Sequence, residues 1–235
     1  MTVSSAFSGP KRRNHLSATA RVVVGADGVN SLVAKLVKPA LEKSEPIRRA
    51  MYYAYYSAFT PQSGPAAEFH YVDNRLVYVF PTDADLTLLA ASVPIEEFPE
   101  FRRDPEYHLQ RELELMPEIV NRLRKAERVG AVKGTGSIPG YQRVPFGNGW
   151  TLAGDSEQIM DPWSGQGIDQ ASTHAMMLAD ALDQWLSDRA SYEVAMAEYN
   201  RKRHEFSDKT FERTCTFARD LRPMTEAALK KRGLI

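Results

Sequence analysis

The stretch AGDSEQIMDPWSGQGIDQ, residues 153–170, decides how this chain is read. It begins where the short apolar run Trp150-Thr151-Leu152-Ala153 ends, and it leads into IDQASTHAMMLADALDQWL, whose apolar residues recur at helical spacing. A strand that ends at Ala153 and turns at Gly154 sets the Asp155 carboxylate at the strand's carboxyl end, where ligands of α/β sheets bind. There it can accept hydrogen bonds from a ligand hydroxyl. Pro162 fixes one φ angle, and Gly165 and Gly167 remove Cβ atoms that would keep a flat ligand off the backbone. A helix starting near Gly167 points its unpaired N–H groups and positive dipole end at such a ligand. The pattern suits a planar ligand that is anionic or electron-rich. Each piece alone is equally the strand, loop and capped helix of an ordinary fold.

Upstream, ArgValValVal at 21–24 reads as a buried strand halted by Gly25 and Gly28, with Asp27 and Asn30 as turn formers. SLVAKLVKPALEK then has the spacing of a short helix ended near Pro39, with Ser31 as its cap. Strand then helix predicts an α/β unit. From about 49 to 95 the runs RAMYYAYYSAF, AAEFHYV, NRLVYVF and DLTLLAASV predict an antiparallel meander. Residues 104–126 predict one amphipathic helix over that sheet, with Asp104 as N-cap, Pro105 in its first turn and Pro117 as a point of bending. AVKGTGSIPGYQRVPFGNG, 131–149, reads as a Gly-rich connector. Beyond Gly167 the pattern is helical up to Pro223, and the last dozen residues are expected to fray.

The chain has 235 residues, 43% of them apolar, enough for a sizeable core. Thirty basic residues balance thirty acidic ones with no extended basic run, so no nucleic-acid footprint is expected. The single Cys215 offers no internal disulfide and no zinc site, which suits a reducing, cytoplasmic setting. No metal site and no membrane span are expected.

GD at 154–155, Pro162 eight residues after Gly154, and GQG at 165–167 together resemble the GD fingerprint of FAD-dependent monooxygenases of the hydroxybenzoate-hydroxylase and geranylgeranyl-reductase-like superfamily. VVVGADGVNS, 22–31, is similar to the DG motif of the same family. The resemblance implies that Asp27, Gly28, Gly154, Asp155, Pro162, Gly165, Gln166, Gly167 and Ile168 bind FAD, with Asp155 at the ribityl or pyrophosphate region and 162–168 against the isoalloxazine. It further implies NAD(P)H as reductant and a small apolar or aromatic substrate. The chain departs from the family pattern at Ala34, where an arginine is usual, at Ser156-Glu157-Gln158 in place of Ala-Ala-His, and at Asp169 in place of Asn.

The implied fold class is α/β (α+β): an incomplete FAD-binding Rossmann-like domain with an inserted antiparallel β-sheet substrate domain and C-terminal helices. The expected divisions are 1–46 with 147–187 for the FAD-binding part, 47–146 for the β-rich substrate domain, and 188–235 for a helical region. No GxGxxG follows a first strand, so a companion chain is expected to supply the ADP half of the FAD site. Without it, weak binding or none is expected. Trp163, Tyr53 and Tyr55 are candidates to line a substrate pocket, with plain packing the alternative for each. No catalytic acid or base can be named, since His70, His108 and His174 are isolated in sequence and read as surface or satisfied core residues. A prenyl reductase, a halogenase and a non-catalytic remnant are the competing functions. The WxWxIP motif of flavin halogenases is absent from the sequence.

Overall fold

The computed structural model describes residues 2–9, 12–62 and 66–234, with side chains described from Thr19 onward. Two compact units emerge: Met1–Ser44, Gly140–Met160 and Gly165–Thr210 form the first, and Glu45–Pro139, Asp161–Ser164 and Phe211–Ile235 the second.

In the first unit the strands Thr2–Gly9 and Arg12–Thr19 pair as an antiparallel hairpin. The strand Val23–Gly25 lies parallel to Trp150–Leu152, with Val24 opposite Thr151. This is the α/β strand expected near 21–24, but it is not buried as expected: Val24 is 45% exposed, and of its three residues only Gly25 is buried. Its parallel partner is the strand that precedes the GD turn. The helix Leu32–Val37 follows it. A second small sheet orders Gln158–Ile159, Gly140–Arg143 and Leu41–Glu45 side by side. Two long helices, Gly167–Leu186 and Tyr192–Arg219, complete the unit through its division at Thr210. Ala153, Leu178, Ala181, Met196 and Tyr199 form its apolar core.

The second unit is built on the expected antiparallel meander, ordered Glu68–Val72, Arg75–Pro81, Thr87–Pro94, Arg49–Ser57 and Glu127–Thr135. Alternation on Arg49–Ser57 sends Tyr52 and Tyr56 into one cluster with Val77, Leu89, Leu109 and Ile119. Tyr53 packs against the other, with Leu76, Tyr78, Trp163 and Leu221.

Three further sequence expectations change here. The span 104–126 is two helices, Pro105–Glu114 and Pro117–Leu123, because Pro117 opens a new helix instead of bending one. Asp104 caps the first as expected, accepting a hydrogen bond from the Tyr107 N–H at 3.1 Å. The Gly-rich connector begins as the fifth strand, Glu127–Thr135, paired with Arg49–Ser57. Gly134 sits there because the Tyr52 ring covers it: a Cβ would come within 2.2 Å of that ring. Lastly, the expected frayed tail is mostly the helix Arg222–Lys231, started by Pro223 in its first turn. It is fixed by the Thr225 hydroxyl donating to Asp73 O at 2.7 Å and the Leu221 N–H donating to Asn74 Oδ1 at 2.9 Å. Among the described residues no helix is long and apolar enough to cross a membrane.

Candidate functional site

The GD turn is held from both sides by backbone bonds. Ala153 N donates to Gly25 O at 2.9 Å, continuing the parallel pairing one residue past the strand. Gly154 then turns with φ +64, a left-handed conformation that glycine adopts without steric cost. The Ser156 hydroxyl lies 2.5 Å from Gly25 O and 2.7 Å from Ala153 O, tying the turn to the first strand. The Tyr141 hydroxyl donates to Asp155 O at 2.5 Å, and Arg143 donates to Ser156 O at 2.5 Å. The main chain of this turn is therefore clamped, while the Asp155 side chain stands exposed. Desolvation raises the Asp155 carboxyl above its usual value.

A hollow of about 590 Å³ opens on this turn, lined by Ala26, Gly28, Gly154, Asp155, Gly167 and Ile168, with Ala171 and Ser172 further along the helix. The sequence thus brings together, in one unit, residues more than 125 positions apart. A Cβ built at Gly28 or at Gly167 would meet nothing within 4 Å, so the bare backbone at both positions faces open space. Gln166, the cap residue of the helix Gly167–Leu186, supplies no side-chain hydrogen bond to the helix start. The first N–H groups are left for a ligand or for water. The donor set of free amides, the one carboxylate and the uncovered glycines fit a flat, polar cofactor bearing negative charge, as FAD is.

Asp27 is arranged differently from its neighbour Gly28. Its carboxylate accepts from the Ser31 hydroxyl at 2.5 Å, Leu32 N at 2.6 Å and Val33 N at 3.2 Å. Some desolvation raises its pKa, but the hydrogen bonds from Ser31 and the Val33 and Leu32 amides win and hold it below the usual carboxylate range. Its observed partners are thus the start of the helix Leu32–Val37, which Ser31 also caps through Ala34 N at 2.9 Å.

Gly165 precedes the long helix with φ +68, and Gln166 follows it. Pro162 and Trp163 belong to the second unit. Trp163 is buried, and its indole N–H donates to Thr214 O at 2.8 Å. Asp161 beside it is buried too; desolvation pushes its carboxyl up to about 6, against the Trp163 N–H and Arg49. Tyr53 and Tyr55 are half-buried and meet edge to face, their ring centres 6.0 Å apart.

Sequence reasoning missed one group altogether. Glu157, His174, Tyr199 and Arg203 form a buried polar cluster within the first unit. His174 was isolated only along the chain. The signal available was Glu157 itself, a charged residue inside a Gly-rich turn followed by an apolar helix.

The chain belongs to the FAD binding domain family, whose sequence model matches residues 2–214. A 109-residue stretch is 28% identical to the 1H-pyrrole-2-carbonyl-[peptidyl-carrier protein] brominase of Pseudoalteromonas luteoviolacea, covering 46% of this chain and 27% of that protein. Among solved structures, a probable FAD-dependent monooxygenase from Pseudomonas aeruginosa, PqsL, superposes with a TM-score of 0.70 at 24% identity, over 97% of this chain and 66% of that one. The myxobacterial chondrochloren halogenase CndH superposes with a TM-score of 0.77 at 20% identity, over 90% of this chain and 52% of that one. The chain thus spans about a quarter to two thirds of the length of these proteins. The FAD-binding fold with a mixed arrangement of helices and antiparallel sheets stands as expected from the sequence.

Proposed function

We propose, from the chain's membership of the FAD binding domain family, that it forms the flavin-facing part of an FAD-dependent, monooxygenase-like oxidoreductase. The observation that carries this reading is the hollow in the first unit, where Gly28, Gly154 and Gly167 leave the backbone uncovered around the Asp155 carboxylate and a helix start. FAD, when bound, supplies electron transfer between NAD(P)H and oxygen or substrate. Gly167 and Ile168 offer the amide donors and the positive helix end to the electron-rich side of the flavin. Asp155 accepts hydrogen bonds from cofactor hydroxyls, and Gly165 and Gln166 shape the approach to the helix. Asp27 acts by fixing the helix after the DG turn, which keeps Gly28 in place. The DG and GD segments, 1–46 and 147–187, are then the cofactor part, 47–146 the substrate part, and 188–235 a C-terminal helical region. Trp163, Tyr53 and Tyr55, all in the second unit, are assigned to a pocket for a small apolar or aromatic substrate. No side chain is assigned as catalytic acid or base.

A second reading, halogenation, is favoured by the similarity to the pyrrole-carbonyl brominase. A companion chain supplying the ADP half would have the exposed apolar residues Leu32 and Leu36, 63% and 69% accessible, to pack against. FAD titration followed by flavin fluorescence, and then substrate-stimulated NAD(P)H oxidation with oxygen uptake, tests the main reading. Halide incorporation would favour the second reading, and substrate reduction without oxygen uptake would favour a prenyl reductase.

A further inference from the structure

One residue beyond the turn Gly154–Ser156, Glu157 is wholly buried, at 0% exposure. Its backbone is part of the turn: Glu157 N donates to Gly154 O at 2.8 Å, and Arg143 N donates to Glu157 O at 3.0 Å. Its side chain reaches the two long helices. The Tyr199 hydroxyl donates to Oε2 at 2.8 Å, while Oε1 lies 3.3 Å from Arg203 Nε and 3.6 Å from His174 Nδ1. Yet Oε1 accepts no hydrogen bond, and His174 Nε2 and Arg203 Nη1 are likewise unpartnered. Arg203 is engaged elsewhere, with Asn200 Oδ1 at 3.1 Å from Nε and with Glu42.

The charged or titratable groups around Glu157 are His174 from the helix Gly167–Leu186, Tyr199, Arg203 and His204 from the helix Tyr192–Arg219, Glu42 from the strand Leu41–Glu45, and Arg143, which holds the adjoining Ser156 O; His204 stands behind Arg203 and Glu42 and adds to the lowering of His174. Burial and then the Arg203 charge bring His174 down to about 4, so it is neutral and its 3.6 Å approach is no ion pair. A charged Glu157 is left with one hydrogen bond and one shared arginine, no match for the water it has lost.

We propose that Glu157 is a positioning residue for the ligand-facing turn, holding Gly154–Ser156 in the observed geometry while it carries a proton and loosening the turn when it releases it. Burial pushes its carboxyl up to about 7, against Arg203 and Tyr199, which act to lower it. Opening the turn returns the carboxylate to water, where it ionises at the usual value of 4.5. The stabilising effect of the proton is therefore complete below that usual value and is lost as pH rises through about 7. Insofar as the ligand is FAD, the idea rests on the function proposed above.

Amide hydrogen exchange of the segment 153–158 in the free protein, corrected for intrinsic rates, tests it at pH 5.5 and 7.5. Opening is expected to be about tenfold or more easier at pH 7.5, since each linked pH unit is worth up to about a factor of ten. Glu157→Gln, permanently neutral, should abolish this dependence and protect the turn at pH 7.5 better than the parent chain does. Protection that rises with pH, or that does not change, overturns the proposal. So does a Glu157→Gln chain less protected than the parent at pH 7.5, the result expected of a plain ion-pair strut. In parallel, FAD affinity followed by amide NMR should fall several-fold between the same pH values in the parent and stay flat in the variant; equal pH dependence in both overturns the link to the ligand. If no FAD binds at all, the cofactor reading fails, and the exchange experiment still decides the role of Glu157.

Discussion

Glu68 in the second unit and Glu157 in the first are both buried carboxylates set against an arginine, and their surroundings push them opposite ways. Glu68 accepts from Arg122 Nη1 and Nη2 at 2.8 and 2.9 Å and from Gln62 N at 2.6 Å, and pairs with His70 Nε2 at 2.8 Å. Burial raises its pKa, but those bonds, led by Arg122, bring it down to about 2. Glu157, with one hydrogen bond and no bidentate partner, rises to about 7 because desolvation wins. Proximity to an arginine does not settle what a buried carboxylate does; the depth of its burial, greater for Glu157, and the number of donors aimed at its two oxygens, greater for Glu68, do. The first arrangement pins a fold, and the second leaves a group able to gain or lose a proton near neutrality.

The widest break in this comparison is Glu68→Ala, which strands a largely buried Arg122. A loss of about 3–5 kcal/mol at pH 7 is expected from urea unfolding, the range for removing one partner of a buried pair. The pH dependence sharpens the contrast. Because its folded pKa is depressed from 4.5 to about 2, Glu68 stabilises fully above 4.5 and loses that effect as pH falls toward 2, amounting to about 3 kcal/mol. Glu157 runs the other way, so Glu157→Gln should raise the melting temperature at pH 8 and leave it nearly unchanged at pH 4.5.

Smaller effects follow in the second unit. Gly134→Ala forces a Cβ into the Tyr52 ring, which is itself stacked on Phe101 at 3.8 Å, and should cost about 1–3 kcal/mol by chemical denaturation. Trp163→Phe removes the bond from the indole N–H to Thr214 O and should cost about 1 kcal/mol by the same measurement.

Much of the local structure around the hollow was legible in the sequence because it depends on local rules. Gly154 needs a positive φ, Ser31 caps a helix, and the strand before the GD turn shows its apolar run. The family resemblance of the two motifs implied that residues 28, 154 and 167 share one site, and all three line one hollow. What could not be read depends on partners far along the chain. Gly134 looked like a loop residue because nothing near it in sequence announces Tyr52 above it. The tail helix Arg222–Lys231 owes its order to Asp73 and Asn74, about 150 residues away. His174 and Arg203 gained meaning only when folding set them against Glu157. Asp27, expected at the cofactor, is seen gripping the helix start that follows it.

The central claim is that the glycine-lined hollow of the first unit is a flavin site, and amide NMR during titration with FAD into the millimolar range tests it most directly, since weak binding is still seen. The account predicts saturable shifts concentrated at Gly28, Gly154, Asp155, Gly167 and Ile168, and their loss in Gly167→Leu, whose side chain would fill the open space at the helix start. Shifts centred on other residues, or shifts at these residues that survive Gly167→Leu unchanged, would contradict it.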